Sequence, residues 1–61
     1  MESKYLGMTV NERLFVSGLM EAFDKAIQTR DVDMVISILK EVELNDISID
    51  PILENHGLIR R

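Results

Sequence analysis

Residues 10–29 read VNERLFVSGLMEAFDKAIQT, and Gly18, Ala22 and Ala26 fall four apart along them. At about 100° per residue this spacing lays the three small side chains along one face of a helix. Leu19, Phe23 and Ile27 border the stripe on one side and Leu14 on the other, with Phe15 near its centre line. Arg13, Ser17, Glu21, Asp24 and Gln28 gather on the opposite, solvated face. Thr9 and Glu12 have capping-box spacing, so the helix is predicted to start at residue 10 and to run to about residue 28. A glycine inside a helix costs about 1 kcal/mol relative to alanine. Gly18 is therefore read as a point of close backbone approach, either by the chain's own second helix or by a helix of a partner.

Thr29, Arg30 and Asp31 form a short connection, so the next helix should return antiparallel, with Asp31 as its N-cap. That helix is predicted over residues 32–42. Val35, Ile38, Leu39 and Val42 make its central apolar face, which Val32 and Ile36 widen on one flank and Met34 on the other. Only Asp33, Ser37, Lys40 and Glu41 are left for water, an apolar arc too broad for one neighbour. At 1.5 Å per residue the two helices are roughly 28 and 16 Å long, so the second shields only the C-terminal part of the first. Leu14, Phe15 and Val16 then need cover from a third element or from another copy.

Asn45, Asp46 and Ser48 favour turns, and Asp50-Pro51 reads as an N-cap followed by proline at the first helical position. A short third helix over 51–56 should end at His56 and Gly57, with Leu58 making the apolar contact of a Schellman ending. The expected fold is all-α: an antiparallel hairpin of helices at about 10–28 and 32–42, closed by a third at about 51–56. Ile49, Ile52, Leu53, Leu58 and Ile59 supply the closing apolar area. Residues 1–8 are read as a loose N-terminal arm, with Tyr5 and Leu6 able to dock, and 9–61 as one small helical domain.

Sixty-one residues with 46% apolar content and no cysteine describe a chain that can fold but whose own core is marginal. Disulfides and thiolate zinc sites are excluded, and a single histidine excludes a histidine-rich metal site within one chain. A second subunit is the remaining way to add buried area. The net charge of −4 is the wrong sign for a nucleic-acid binder. No apolar run approaches the ~18 residues that cross a membrane, and the N-terminus lacks the pattern of a secretory signal. A cytoplasmic setting follows as the expectation.

Residues 41–54 hold five carboxylates, Glu41, Glu43, Asp46, Asp50 and Glu54, and no cation. As a calcium loop counted from Glu43 they fail, because Ile47 and Ser48 fill the fifth and sixth places, where an oxygen ligand and a glycine belong. Two caps and a solvated face account for them, or an acidic patch that steers a basic partner. His56 suits the carbonyl end of its helix. Ser17, Ser37 and Ser48 stand in no nucleophile motif, so no enzyme, cofactor or small-molecule substrate is expected. A helix-turn-helix reading would need Arg, Lys, Asn or Gln facing base edges, and the second helix offers one lysine among apolar residues and aspartates. Arg60 and Arg61 are a solvated tail or, on that reading, phosphate contacts.

Asn11-Glu12-Arg13-Leu14-Phe15, Gly18-Leu19, Phe23-Asp24, Arg30-Asp31 and Val42-Glu43-Leu44 resemble a family of short, uncharacterised bacterial helical proteins. The likeness spans most of residues 11–58 and contains no catalytic signature. It implies a bacterial or bacteriophage-like cytosolic protein and carries no activity. The expected function is a small non-enzymatic protein-protein interaction module, homodimeric, acting through apolar helix faces and the acidic patch. Leu14, Phe15, Gly18, Ala22, Met34 and Ile36 are the interface candidates, Met34 and Ile36 because they sit at the margin of their helix. The alternative is a small helical nucleic-acid-binding regulator.

Overall fold

The computed structural model describes residues 4–58, and the fold is all-helical, a small bundle of four helices: α1 (Val10–Ser17), α2 (Met20–Gln28), α3 (Val32–Glu41) and α4 (Asp46–Asn55). Ile59, Arg60 and Arg61 lie outside the described residues, as does the start of the N-terminal arm. α2 and α3 form the antiparallel pair with the most extensive contact; α1 packs on α2, and α4 packs on α3. One core joins all four, built from Leu14 of α1, Phe23 and Ala26 of α2, Val35, Ile38 and Leu39 of α3, Ile49 and Leu53 of α4, and Leu58.

The expected helix over 10–28 is two helices, because Gly18 adopts the left-handed conformation (φ 78°, ψ 16°) and ends α1. The N–H of Leu19 donates to the carbonyl of Leu14 at 3.0 Å, the long closing bond of a Schellman ending. The physical reason lies in the core. In a straight helix Leu14 and Phe23, nine residues apart, would point about 180° apart. Only a bend between them lets both enter the same interior, and glycine adopts that bend without a steric cost. The helix beyond the bend is poorly announced: Leu19 occupies its N-cap position with no side-chain hydrogen bond.

The same closure ends every helix. Asp31, Leu44 and Leu58 donate their N–H groups to the carbonyls of Ala26, Leu39 and Leu53 at 2.9, 3.1 and 2.8 Å. The left-handed residue before each is Arg30 (φ 56°), Glu43 (φ 65°) and Gly57 (φ 71°). Two of the four turns therefore use side-chain-bearing residues in a region that costs them about 1–2 kcal/mol relative to glycine.

Helix starts agree with the sequence at two sites and differ at a third. Thr9 and Glu12 form the capping box, the Thr9 N–H donating to Glu12 Oε1 at 2.8 Å and the Glu12 N–H to Thr9 Oγ1 at 3.2 Å. Asp31 caps α3 by accepting from the Met34 N–H at 3.2 Å. The last helix, expected at 51–56, begins five residues earlier, at Asp46, where Asn45 Oδ1 accepts from the Ser48 N–H at 3.1 Å. Pro51 therefore sits inside α4 and leaves the Ile47 carbonyl without its helical donor. The earlier start wins because it brings Ile49 into the core, fully buried and four residues before Leu53 on the same face.

Two arginines tie the ends together. Arg13 Nη1 donates to the carbonyls of Val42 (2.9 Å) and Glu43 (3.4 Å), and its Nε to that of Met8 (3.3 Å). Arg30 Nη2 donates to the Gly57 carbonyl at 2.7 Å. Each guanidinium thus supplies donors to carbonyls at a helix C-terminus that has few backbone partners left. Tyr5 is buried, and its ring centroid lies 5.8 Å from the Arg13 guanidinium carbon and 5.1 Å from Lys4 Nζ. Leu6, the other group expected to dock, is exposed.

Candidate interaction surface

Anchoring α1 by Leu14, which is 0% exposed, sets where its other side chains point. At 100° per residue Val10 and Ser17 lie beside Leu14 on one side, Arg13 beyond them reaches sideways toward the end of α3, and Phe15, Glu12 and Val16 face outward. Phe15 is 78% exposed and Val16 54%. Phe15 lies roughly 200° around the helix from Arg13, on the far side of α1 from the α3 terminus that carries Glu41 and Glu43. Beside it runs an open groove of about 390 Å³, lined by Met8, Asn11, Glu12, Phe15, Val16 and Met20. The lining is apolar except for Asn11 and Glu12, and Glu12 is held by its bond to the Thr9 N–H. Two methionines flanking a phenylalanine make a surface that can adjust to what it meets.

The six residues read from sequence as interface candidates do not form one surface. Leu14 is corrected to the core, where it is 0% exposed and offers no surface in this fold. Gly18 is exposed, and a Cβ built on it would have no neighbour within 4 Å, so nothing approaches it closely. Its role is the left-handed turn. Ala22 is exposed, and Ile36 is half-buried against the chain's own core. Phe15 and Met34 (48% exposed) remain accessible. The sequence reading named Val16 as needing cover but did not place it among the interface candidates, and it passed over Met8 and over Ile47, which is 83% exposed at the start of α4. A helical wheel restricted to residues 10–17 separates Phe15 and Val16 from Leu14; a wheel through residue 28 averages two differently oriented helices.

All five residues of the acidic patch are exposed. Glu41 and Glu43 stand at the C-terminal end of α3, where the dipole disfavours a carboxylate; Asp46 stands at the favoured N-terminal end of α4. Asp46, Asp50 and Glu54 follow one another at four-residue spacing along one edge of α4. Lys40 Nζ approaches Asp46 Oδ1 at 3.9 Å, an exposed pair worth at most about 1 kcal/mol. Among the described residues no three acidic or imidazole groups converge as metal ligands. None of their helices is long and apolar enough to cross a membrane.

A second, more polar cleft of about 320 Å³ lies where the start of α1 meets the end of α4, between Thr9, Asn11, Asn55 and His56 over a floor of Phe23 and Ile52. The His56 ring meets Phe23 edge-on, centroids 5.7 Å apart at 76°. Comparison with known proteins adds nothing further: no family model matches the chain, and no curated protein and no solved structure is similar to it.

Proposed function

We propose that this chain is a small non-enzymatic interaction module of the bacterial cytoplasm that meets another protein through the outer face of α1, its first partner being a second copy of itself. One observation carries the reading: Phe15 stands almost fully in water beside Val16 and an apolar groove, on a chain too short to spare large side chains from its own core. Two copies with charge −4 repel, and α1 turns a nearly uncharged face outward, away from the end of α3 that bears Glu41 and Glu43. A specific contact of standard size covers about 800 Å² per partner. That is roughly a sixth of the 4535 Å² this chain exposes, more than the groove alone supplies, so the pairing is weak and reversible. The acidic edge of α4 steers a basic surface of a second protein toward the module. The cytoplasmic setting is supported by the missing cysteines, because secreted domains of this size are usually disulfide-rich.

Sedimentation equilibrium from 20 μM to about 1 mM tests the proposal. The mass should rise with concentration, and Phe15→Ser should hold it at the monomer value with unchanged helical content. A wild-type chain that stays monomeric throughout would remove the homodimer.

A further inference from the structure

Gly18 and Leu19 separate α1 from α2. Gly18 is left-handed, whereas Leu19 (φ −101°, ψ 5°) is already on the right-handed side of the map, in the bridge region beside the helical one, and Met20 belongs to α2. Leucine is a poor N-cap, and α1 has no basic residue in its last turn, so the surrounding sequence does little to favour two helices over one. Turning Gly18 from its left-handed to a right-handed conformation, with a smaller shift at Leu19, would join residues 10–28 into one helix of roughly 28 Å. In that form Leu14 faces about 180° away from Phe23 and can no longer reach the core of its own chain. The seat it vacates is unchanged, and the Leu14 of a second chain fits it by identity.

We infer that Gly18 is the hinge on which α1 swings out of its own core and into that of a second copy, giving a dimer by exchange of α1. Each exchanged α1 makes the contacts it makes in the monomer: Leu14 in the apolar core and Arg13 on the carbonyl of Val42. Closed and exchanged forms therefore differ mainly in the hinge and in the entropy of association. This inference stands on the hinge and not on the outer face of α1, so it holds whether or not Phe15 finds a partner.

Substitution at Gly18 reads the hinge directly. A Cβ there meets nothing within 4 Å, so alanine acts through backbone conformation alone. Alanine is disfavoured in the left-handed region by about tenfold. It is favoured over glycine inside a helix by about fivefold. The product is roughly 50-fold per hinge and, with two hinges, more than a thousandfold in the dimer association constant. Gly18→Ala should therefore be dimeric at concentrations where the wild type is monomeric, with higher helical content by circular dichroism. The chain is short enough for chemical synthesis, and D-alanine in place of Gly18, which favours the closed turn, should stay monomeric. Adding Phe15→Ser to Gly18→Ala should leave the dimer intact. A Gly18→Ala chain that is a destabilised monomer, a D-alanine chain that dimerises equally, or a dimer abolished by Phe15→Ser would each overturn the hinge.

Discussion

Replacing Arg13 with leucine should remove the main link between α1 and the end of α3. The Arg13 guanidinium donates to the Val42 carbonyl at 2.9 Å, more loosely to the carbonyls of Met8 (3.3 Å) and Glu43 (3.4 Å), and lies over the ring of buried Tyr5. A hydrogen bond from a charged donor contributes about 1.5–3 kcal/mol. The short bond is taken at the lower bound because the site is only half-buried. The two longer bonds together add about 0.5 kcal/mol and the ring contact about 0.5 kcal/mol. The expected loss is about 2.5 kcal/mol, against a total stability of roughly 3–9 kcal/mol for a chain of this length. Arg13→Lys keeps one donor within reach of one carbonyl and should lose about half as much. Urea unfolding followed by circular dichroism measures both variants, with a midpoint that falls at unchanged slope. A loss below about 0.5 kcal/mol for Arg13→Leu would refute the reasoning, since it would mean that water serves the Val42 carbonyl as well as the guanidinium does.

Glu43→Gly relieves a left-handed residue and removes a carboxylate from the C-terminal end of α3, so the chain should gain about 1 kcal/mol and melt about 4–8 °C higher in a thermal scan. Pro51→Ala restores the donor to the Ile47 carbonyl on the exposed side of α4 and should stabilise by about 2 kcal/mol, read as a higher urea midpoint. Adjacent residues of α1 should behave oppositely: Leu14→Ala should cost about 3 kcal/mol in the same assay, and Phe15→Ala less than about 0.5 kcal/mol. Equal losses at the two positions would show that α1 is rotated from the orientation described.

Much of the architecture was legible in the linear order of residues. The caps at Thr9 and Asp31 are local signals that need only a hydroxyl or carboxylate three residues before an amide, and both form. The apolar period of α3 was equally plain, because Val35, Ile38, Leu39 and Val42 repeat at helical spacing and all four are buried. The closing Gly57-Leu58 was readable as a helix stop, since the glycine supplies the left-handed residue and the leucine the apolar contact of a Schellman ending.

The same pair of residues at Gly18-Leu19 was not, and here only the tertiary structure decided. The apolar period runs on through position 18, so local spacing cannot distinguish a helix interior from a turn between two helices. The choice depends on whether Leu14 and Phe23 must enter one interior, and that is a property of the folded chain. It settles the exposed face as well, for once Leu14 points inward Phe15 and Val16 have nowhere to go but out. The start of α4 followed the same logic, with burial of Ile49 prevailing over a proline that reads locally as a beginning. Capping and periodicity act within a few residues, whereas the direction of each helix is set by a core that distant segments build together.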